Sequence, residues 1–340
     1  MNQLFRWDQM GLFLLALAAG ILPFAVPEVC AAALREGLTL CSGPLLLSLF
    51  PFLVVSRLLV QCPESDLLAL PFRLAAWGIG IRTPCAARVL CIGFLGGFAP
   101  AASAAAQAVR TGQLTAEEAD ALLPACICSG PSFVVLTVGQ SLLGSAELGV
   151  LLFASQITAN YLTAALLNRF AGVRSVKPGS AAPASPAPPQ LDEILADAAI
   201  TYCKLCGFIL FFRMLAAGAG ALLPAGAGTL CAVLLEVCSG CDLASRTGRW
   251  GSLLCCAALS VQGLSVLLQV RTICPAEISL RPLLAARAVH LPLSVALFWL
   301  GSTVPVQAVQ TFTTLTERVV VLRRVPLDCA LLAFAVCCIT

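Results

Sequence analysis

The sequence predicts an all-α polytopic membrane protein, and three observations carry that prediction. Of 340 residues, 59% are hydrophobic and 11% charged, where a soluble domain of this size carries about 25% charge. The mean hydropathy is +0.96. Apolar runs of helix-spanning length recur along the chain, and inside lipid only helices and closed barrels satisfy their own backbone groups. The formal net charge of +3 is thinly spread. Without a basic patch interleaved with aromatics, nucleic acid is not an expected partner; the lipid bilayer is.

Taken in order, the first apolar segment covers residues 10–26 and follows a charged start, MNQLFRWDQ. A small-residue cleavage site and a polar mature segment do not follow, so this is read as a retained span with an interfacial segment after it, together residues 1–42. Further apolar segments fall at 43–61, 86–107, 121–144 and 146–168, then at 203–223, 228–244, 250–270 and 282–302, with a last short run at 326–340. Several are short for a bilayer that needs about 20 residues per helix. Between 171 and 190 the composition shifts to GVRSVKPGSAAPASPAPPQ, a Pro/Ala/Ser linker that cannot bury a core and is expected to be exposed. LDEILADAAI, 191–200, reads as a short amphipathic helix at the interface. The chain thus divides into 1–42, a first half 43–170, the linker and amphipathic helix 171–200, a second half 201–303 and a C-terminal segment 304–340. Arg169, Arg174, Lys177 and Lys204 flank the linker, and Arg318, Arg323 and Arg324 precede the last run; positive loops place both on the cytoplasmic side.

The two halves echo each other. FLVVSRLL at 52–59 resembles FILFFRML at 208–215, setting Arg57 opposite Arg213. Gly96-Gly97-Phe98 aligns with Ser239-Gly240-Cys241, and an Arg-Thr-Gly follows each. Gly130-Pro131-Ser132-Phe133 aligns with Gly263-Leu264-Ser265-Val266. Three matches in one order indicate an internal duplication. It is parallel if both 86–107 and 121–144 cross the membrane, and inverted if one of them is re-entrant.

CICSGPSFVVLTVGQ, from residue 126, is an apolar run with a fault in it. Glycine costs roughly 1 kcal/mol in a helix interior and proline roughly 3 kcal/mol. Broken backbone is tolerated at membrane depth only where protein or a water-filled cavity covers it. Paired interruptions at corresponding places in two halves mark a solute site near the midplane. Pro131 suits the first position of a second half-helix, with Gly130 as its N-cap and Ser129 beside it. The amides of Ser132 and Phe133 would then face the cavity and favour an anionic group. A proline kink that only lets helices pack is the alternative.

Charged and polar residues at membrane depth cost about 2.5–3.5 kcal/mol at a helix centre, which singles out a few. Glu236 in LCAVLLEVCSG could bind a coupling proton or cation, or pair with an arginine. Arg213 in ILFFRMLA is too deep to snorkel and suits Glu236 or a substrate carboxylate, whereas Arg57 is close enough to a span end to snorkel. Gln262 offers donor and acceptor at the second break, and Asn160 stands similarly on the helix after the first. His290 shares a helix face with Arg287 and is read as a helix–helix hydrogen-bonder. In RTGQLTAEEADALL, 110–123, Thr115 and Glu118 form a capping-box pattern on an expected surface helix. Eighteen cysteines mostly sit among Ala, Leu and Val as small hydrophobes. The CxxC pairs Cys203/Cys206 and Cys238/Cys241 lack further ligands, so neither a metal nor a thiol cofactor chemistry is expected. With no nucleophile elbow, Walker loop or dinucleotide fingerprint, an enzyme is not expected.

PEVCAAALREGLTL followed by GPLLLSLFPFLVVSRLL resembles the opening of the YlbJ-type sporulation integral membrane proteins, within the wider nucleoside-recognition or Gate superfamily. GQLTAEEADALLPACICSGPSFVVLTVGQSLLGS is similar to that family's most distinctive segment, and GFILFFRML, LLEVCSG and VQGLSV follow in its order, over roughly residues 10–303. The resemblance implies two Gate-like repeats with interrupted transmembrane helices. It also implies transport of dipicolinate, a small aromatic dicarboxylate, from mother cell to forespore across the outer forespore membrane of an endospore-forming bacterium. Other sporulation membrane proteins would be partners. Where the family has a polar Asn pair before Ser-Gly-Pro, this chain has Ile127 and Cys128, and Gly96-Gly97-Phe98-Ala99 replaces Ser-Gly-Tyr-Pro. Either the substrate differs, or the second half carries recognition, or the chain is a divergent member. The candidate site is therefore Gly97, Ser129, Gly130, Pro131, Ser132, Asn160, Arg213, Glu236, Gly240, Gln262 and Gly263, holding a small anionic molecule. A non-transporting sporulation scaffold, a permease for a nucleoside-like solute and a membrane thiol enzyme are the rivals.

Overall fold

The structure is a computed structural model that describes residues 9–61, 63–171 and 191–303. Most of the linker, the C-terminal segment with its 326–340 run, and Arg174, Lys177, Arg318, Arg323 and Arg324 lie outside the described residues. Every regular element among the described residues is helical. Five stretches are long and apolar enough to cross a bilayer: Pro27–Val60, Ala146–Ala171, Leu191–Leu222, Gly248–Ile273 and Arg281–Thr303. This is a helical membrane protein.

The elements are α1 (Gln9–Ala25), α2 (Pro27–Ser42), α3 (Pro44–Gln61), α4 (Leu70–Gly78), α5 (Pro84–Gly96), α6 (Phe98–Arg110) and α7 (Ala116–Cys126), then a π-helix (Ser132–Leu142) and α8 (Ala146–Ala171). After the linker come α9 (Leu191–Leu222), α10 (Ala225–Leu235), α11 (Val237–Ser245), α12 (Gly251–Val261), α13 (Gly263–Ile273) and α14 (Arg281–Thr303). The expected interfacial helix at 191–200 is not separate. It is the first third of α9, because LDEILADAAITYCKLC contains no Gly or Pro to stop it.

The apolar segment 86–107 is a helical hairpin. α5 and α6 pack antiparallel about a turn at Gly97, and a Cβ on Gly93 would stand 3.2 Å from that of Ala101. Gly97 makes the turn at φ +82°, in the left-handed region. The segment 228–244 is a second hairpin, α10 and α11, turning at Glu236; a Cβ on Gly240 would lie 2.8 Å from Val233 Cα. An arm of 11 or 13 residues reaches roughly 16–20 Å, about half of a 30 Å hydrocarbon layer.

Each hairpin is followed by a broken helix rather than by another hairpin. α7 stops at Cys126, the chain is extended at Ile127 (φ −84°, ψ 96°), and helix resumes at Pro131. α12 stops at Gln262 (φ 61°) and Gly263 (φ 71°), and α13 carries on. The expected capping box forms: the Glu118 amide donates to Thr115 Oγ1 (3.1 Å) and the Thr115 amide to Glu118 Oε2 (3.2 Å). Yet α7 is no surface helix. Ala121 through Cys126 are all buried, because α7 is the first half of a broken helix packed on α8 and α14.

The hairpins enter from opposite faces. The first ends at Gln107 and Arg110, beside Arg57 of α3, Asp197 of α9 and Thr272 of α13. This is the linker face, where α8 ends and α9 begins. The second ends at Asp242 and Arg246, beside Glu36 of α2 and Ala221 of α9. Asp197 and Ala221 lie on one helix and are separated by roughly 36 Å at 1.5 Å per residue, about one membrane thickness. Between the halves, Gln156 of α8 donates to Ser260 Oγ (2.9 Å), the Ser260 and Ser294 hydroxyls stand 2.5 Å apart, and His290 Nε2 is 3.2 Å from the Gln156 carbonyl. His290 is thus a helix–helix hydrogen-bonder.

Candidate functional site between two helical hairpin tips

The two turns meet near the middle of the molecule around a cavity of about 50 Å³, room for roughly three or four waters. Ser129, Gly130 and Ser132 from the first broken helix line one side, and Glu236, Val237 and Cys238 from the second tip line the other. Leu45, Leu49, Ile209 and Val266 make much of the rest apolar.

The first tip is seated by backbone. A Cβ on Gly97 would lie 2.6 Å from the Gly130 nitrogen and 2.9 Å from its Cα. The second follows the same rule with different chemistry: a Cβ on Gly263 would lie 2.9 Å from the Glu236 nitrogen. In each half, therefore, the hairpin turn rests on the break of the following helix. Gly97 corresponds in place to Glu236, and not to Gly240, with which the sequence aligned it. Gly240 packs against Val233 of α10 instead.

Glu236 is 2% exposed and caps α11. The Cys238 amide donates to its Oε1 (2.8 Å), and the Ser239 amide (2.8 Å) and hydroxyl (2.9 Å) donate to its Oε2. A carboxylate here fills the orphan N–H groups of a first helical turn and meets the positive end of the helix. That is why an acid is tolerated in an apolar run. Arg213 is not its partner. Arg213 donates to Glu36 of α2 (2.7 Å), because α2 lies along α9 and brings Glu36 alongside. Arg57, expected at the membrane surface, pairs with Asp197 of α9.

Behind the cavity, the extended residue Ile127 leaves a carbonyl without a helical partner. Three side chains converge on it: Arg287 Nη2 (2.7 Å), Asn160 Nδ2 (3.3 Å) and Gln262 Nε2 (3.4 Å). Arg287 Nη1 also reaches the Ser260 carbonyl (3.3 Å), so one guanidinium serves the C-terminal ends of α7 and α12, the first halves of the two broken helices, where cations are favoured. Asn160 and Gln262 thus support the break and do not line the cavity. Their oxygens Oδ1 and Oε1, with Arg287 Nε and His290 Nδ1, have no hydrogen-bond partner among the described residues.

Of the expected residues, Ser129, Gly130, Ser132 and Glu236 line the cavity; Gly97, Pro131 and Gly263 shape its turns. Asn160 and Gln262 stand behind it, and Arg213 lies in a separate cavity of about 500 Å³ on the face opposite the linker. Sequence reasoning missed Gln269, which lines the central cavity and is 2% exposed. Its signal was a lone amide in SVLLQVRT one turn after Ser265, to which its Nε2 donates (2.9 Å). No group of three or more His, Cys, Asp or Glu able to hold a metal occurs among the described residues. No family model, curated protein or solved structure matches this chain.

Proposed function

We propose that this protein is a secondary transporter or facilitator for a small anionic solute, built from two Gate-like repeats of inverted orientation. One observation supports the reading above the others: two hairpins enter from opposite faces and their tips meet at a cavity, with a wider cavity on each face. Long helix, hairpin, broken helix and long helix recur in that order in both halves. A re-entrant hairpin leaves an odd number of crossings per repeat, which makes the duplication inverted. Binding near the midplane between interrupted helices follows the logic of such repeats.

In this mechanism, Ser129, Ser132 and the amides after Pro131 receive anionic oxygens at the start of the π-helix. Glu236 couples movement to a proton. Protonating it removes the negative charge that meets the positive end of α11 and weakens the charge-assisted cap on Cys238 and Ser239, which loosens the second tip. The cavity in this conformation is smaller than an aromatic dicarboxylate, so passage requires the tips to separate.

The resemblance to YlbJ-type proteins makes dipicolinate the proposed solute, with the outer forespore membrane as the site of action. The small, largely apolar cavity favours a second reading, a sporulation membrane scaffold that retains the architecture without transport. Uptake of labelled dipicolinate into proteoliposomes, wild type beside Glu236→Gln, separates the two. Transport predicts uptake by wild type that is lost or made pH-independent in the variant. Folded protein inert towards dipicolinate, other small aromatic acids and nucleosides would refute the transport reading and leave the scaffold.

A further inference from the structure

The cavity on the linker face differs in charge from the one on the opposite face. It measures about 240 Å³ and is lined by Arg57, Arg110, Lys204, Gln107, Asp197 and Thr201, among others. Asp197 offsets Arg57 through their ion pair. Arg110 and Lys204 are exposed and form no ion pair with a described residue, so the cavity has a surplus of two positive charges. Across the membrane, the opposite cavity holds Glu36 with Arg213 (2.7 Å) and Asp242 with Arg246 (2.8 Å). Those charges balance.

A second observation joins the basic cavity to the central one. Gln269 lines both. It is buried, and its Oε1 has no hydrogen-bond partner among the described residues. The same holds for Nε of Arg57 in the wall of the basic cavity. Leaving a buried polar atom unpaired costs roughly 1–3 kcal/mol; of the two, Arg57 Nε is a donor that a carboxylate oxygen can accept from, whereas Gln269 Oε1 can meet only a donor. Ile200, Leu205, Phe208 and Ile273 complete the walls. Apolar walls of this kind focus the field of the cations into the cavity.

We infer that the linker-face cavity is a loading site for carboxylate-bearing anions, in which Arg110 and Lys204 capture the solute and Gln269 forms the threshold to the central cavity. The inference rests on the transport reading for its purpose, but binding at this site is a separate property. The loading site has the charge and width that the central cavity lacks, and it lies on one face only. Anions are therefore captured from the linker face in preference to the other.

The test uses the full-length protein and two probes of like shape: pyridine-2,6-dicarboxylate and its uncharged diamide. Equilibrium binding in neutral detergent is measured from low to high salt, with uptake into phosphatidylcholine vesicles measured in parallel. Wild type should bind the dicarboxylate in preference to the diamide, more weakly as salt rises. The Arg110→Gln/Lys204→Gln double variant should raise the Kd about tenfold, the equivalent of two exposed charge contacts, and flatten the salt dependence. Both side chains are exposed, so the variant should keep the wild-type unfolding temperature. If unfolding shows otherwise, Lys204→Arg and Arg110→Lys, which keep the charge, should keep binding. Dicarboxylate binding or uptake unaffected by the double variant, or insensitive to salt, would overturn the loading site and leave transport standing. Charge-dependent binding without uptake would uphold the site and overturn transport. Neither binding nor uptake would overturn both.

Discussion

Replacing Gly97 by alanine tests the seating of the first hairpin tip most directly. Two terms act. Holding an L-residue in the left-handed region costs about 1–2 kcal/mol, and forcing a methyl into packed atoms costs about 1–3 kcal/mol. The atoms that a Cβ would strike, the Gly130 nitrogen at 2.6 Å and the Cys128 carbonyl oxygen at 3.2 Å, are backbone and cannot rotate aside. Gly112 isolates the first term: it has φ +70° with nothing within 4 Å of a Cβ. At roughly 3 °C per kcal/mol, Gly97→Ala should lower the unfolding temperature by about 10 °C and Gly112→Ala by about 4–5 °C. Differential scanning fluorimetry of the purified proteins in one detergent measures both. Equal drops in the two variants would refute the contact between the Gly97 turn and the Ser129–Pro131 break, and with it the meeting of the tips.

Glu236→Gln retains one acceptor oxygen but cannot accept from both the Cys238 and Ser239 groups, so a loss of about 1–3 kcal/mol in unfolding free energy is expected. Arg287→Met removes the donor shared by the Ile127 and Ser260 carbonyls. Hydrogen bonds to charged groups contribute about 1.5–3 kcal/mol, so this variant should be less stable than Asn160→Ala, which loses one neutral donor, in the same unfolding assay. Replacing both Cys203 and Cys206 by serine should leave uptake unchanged. Loss of uptake, with the protein folded, would revive the thiol-enzyme reading.

Much of the architecture was legible because lipid enforces a simple code. Apolar length announced most of the crossing helices, although the expected span 10–26 is not among the five and 27–42, read as interfacial, belongs to the Pro27–Val60 stretch. Ser129-Gly130-Pro131 and Gln262-Gly263 announced the broken helices, since neither stretch suits an unbroken one. Thr115 and Glu118 announced a helix start. The hairpins were less legible. In IGFLGGFAPAAS the turn residue Gly97 is one of several small residues, and nothing local distinguishes an arm that turns back from one that continues. What decides it is the later segment against which the turn rests. The charge partners were illegible for a similar reason. Arg213 meets Glu36 through the packing of α2 on α9, a contact 177 positions apart, and the echo between halves gave no hint of it. The alignment of Gly97 with Gly240 erred because the two hairpins share a turn without sharing a turn sequence.

The tips also constrain how the chain is made. The Gly97 turn is covered by Gly130, and the Glu236 turn by Gly263, so each turn lacks that cover until a later stretch emerges. At about 5–20 residues per second, roughly thirty residues of lag is about 2–6 s of synthesis. During that interval a ribosome-bound chain holds a half-buried loop with no cover, and the insertion machinery or a chaperone has to shelter it. Two such waits, one per half, would set the rhythm of membrane insertion for the whole protein.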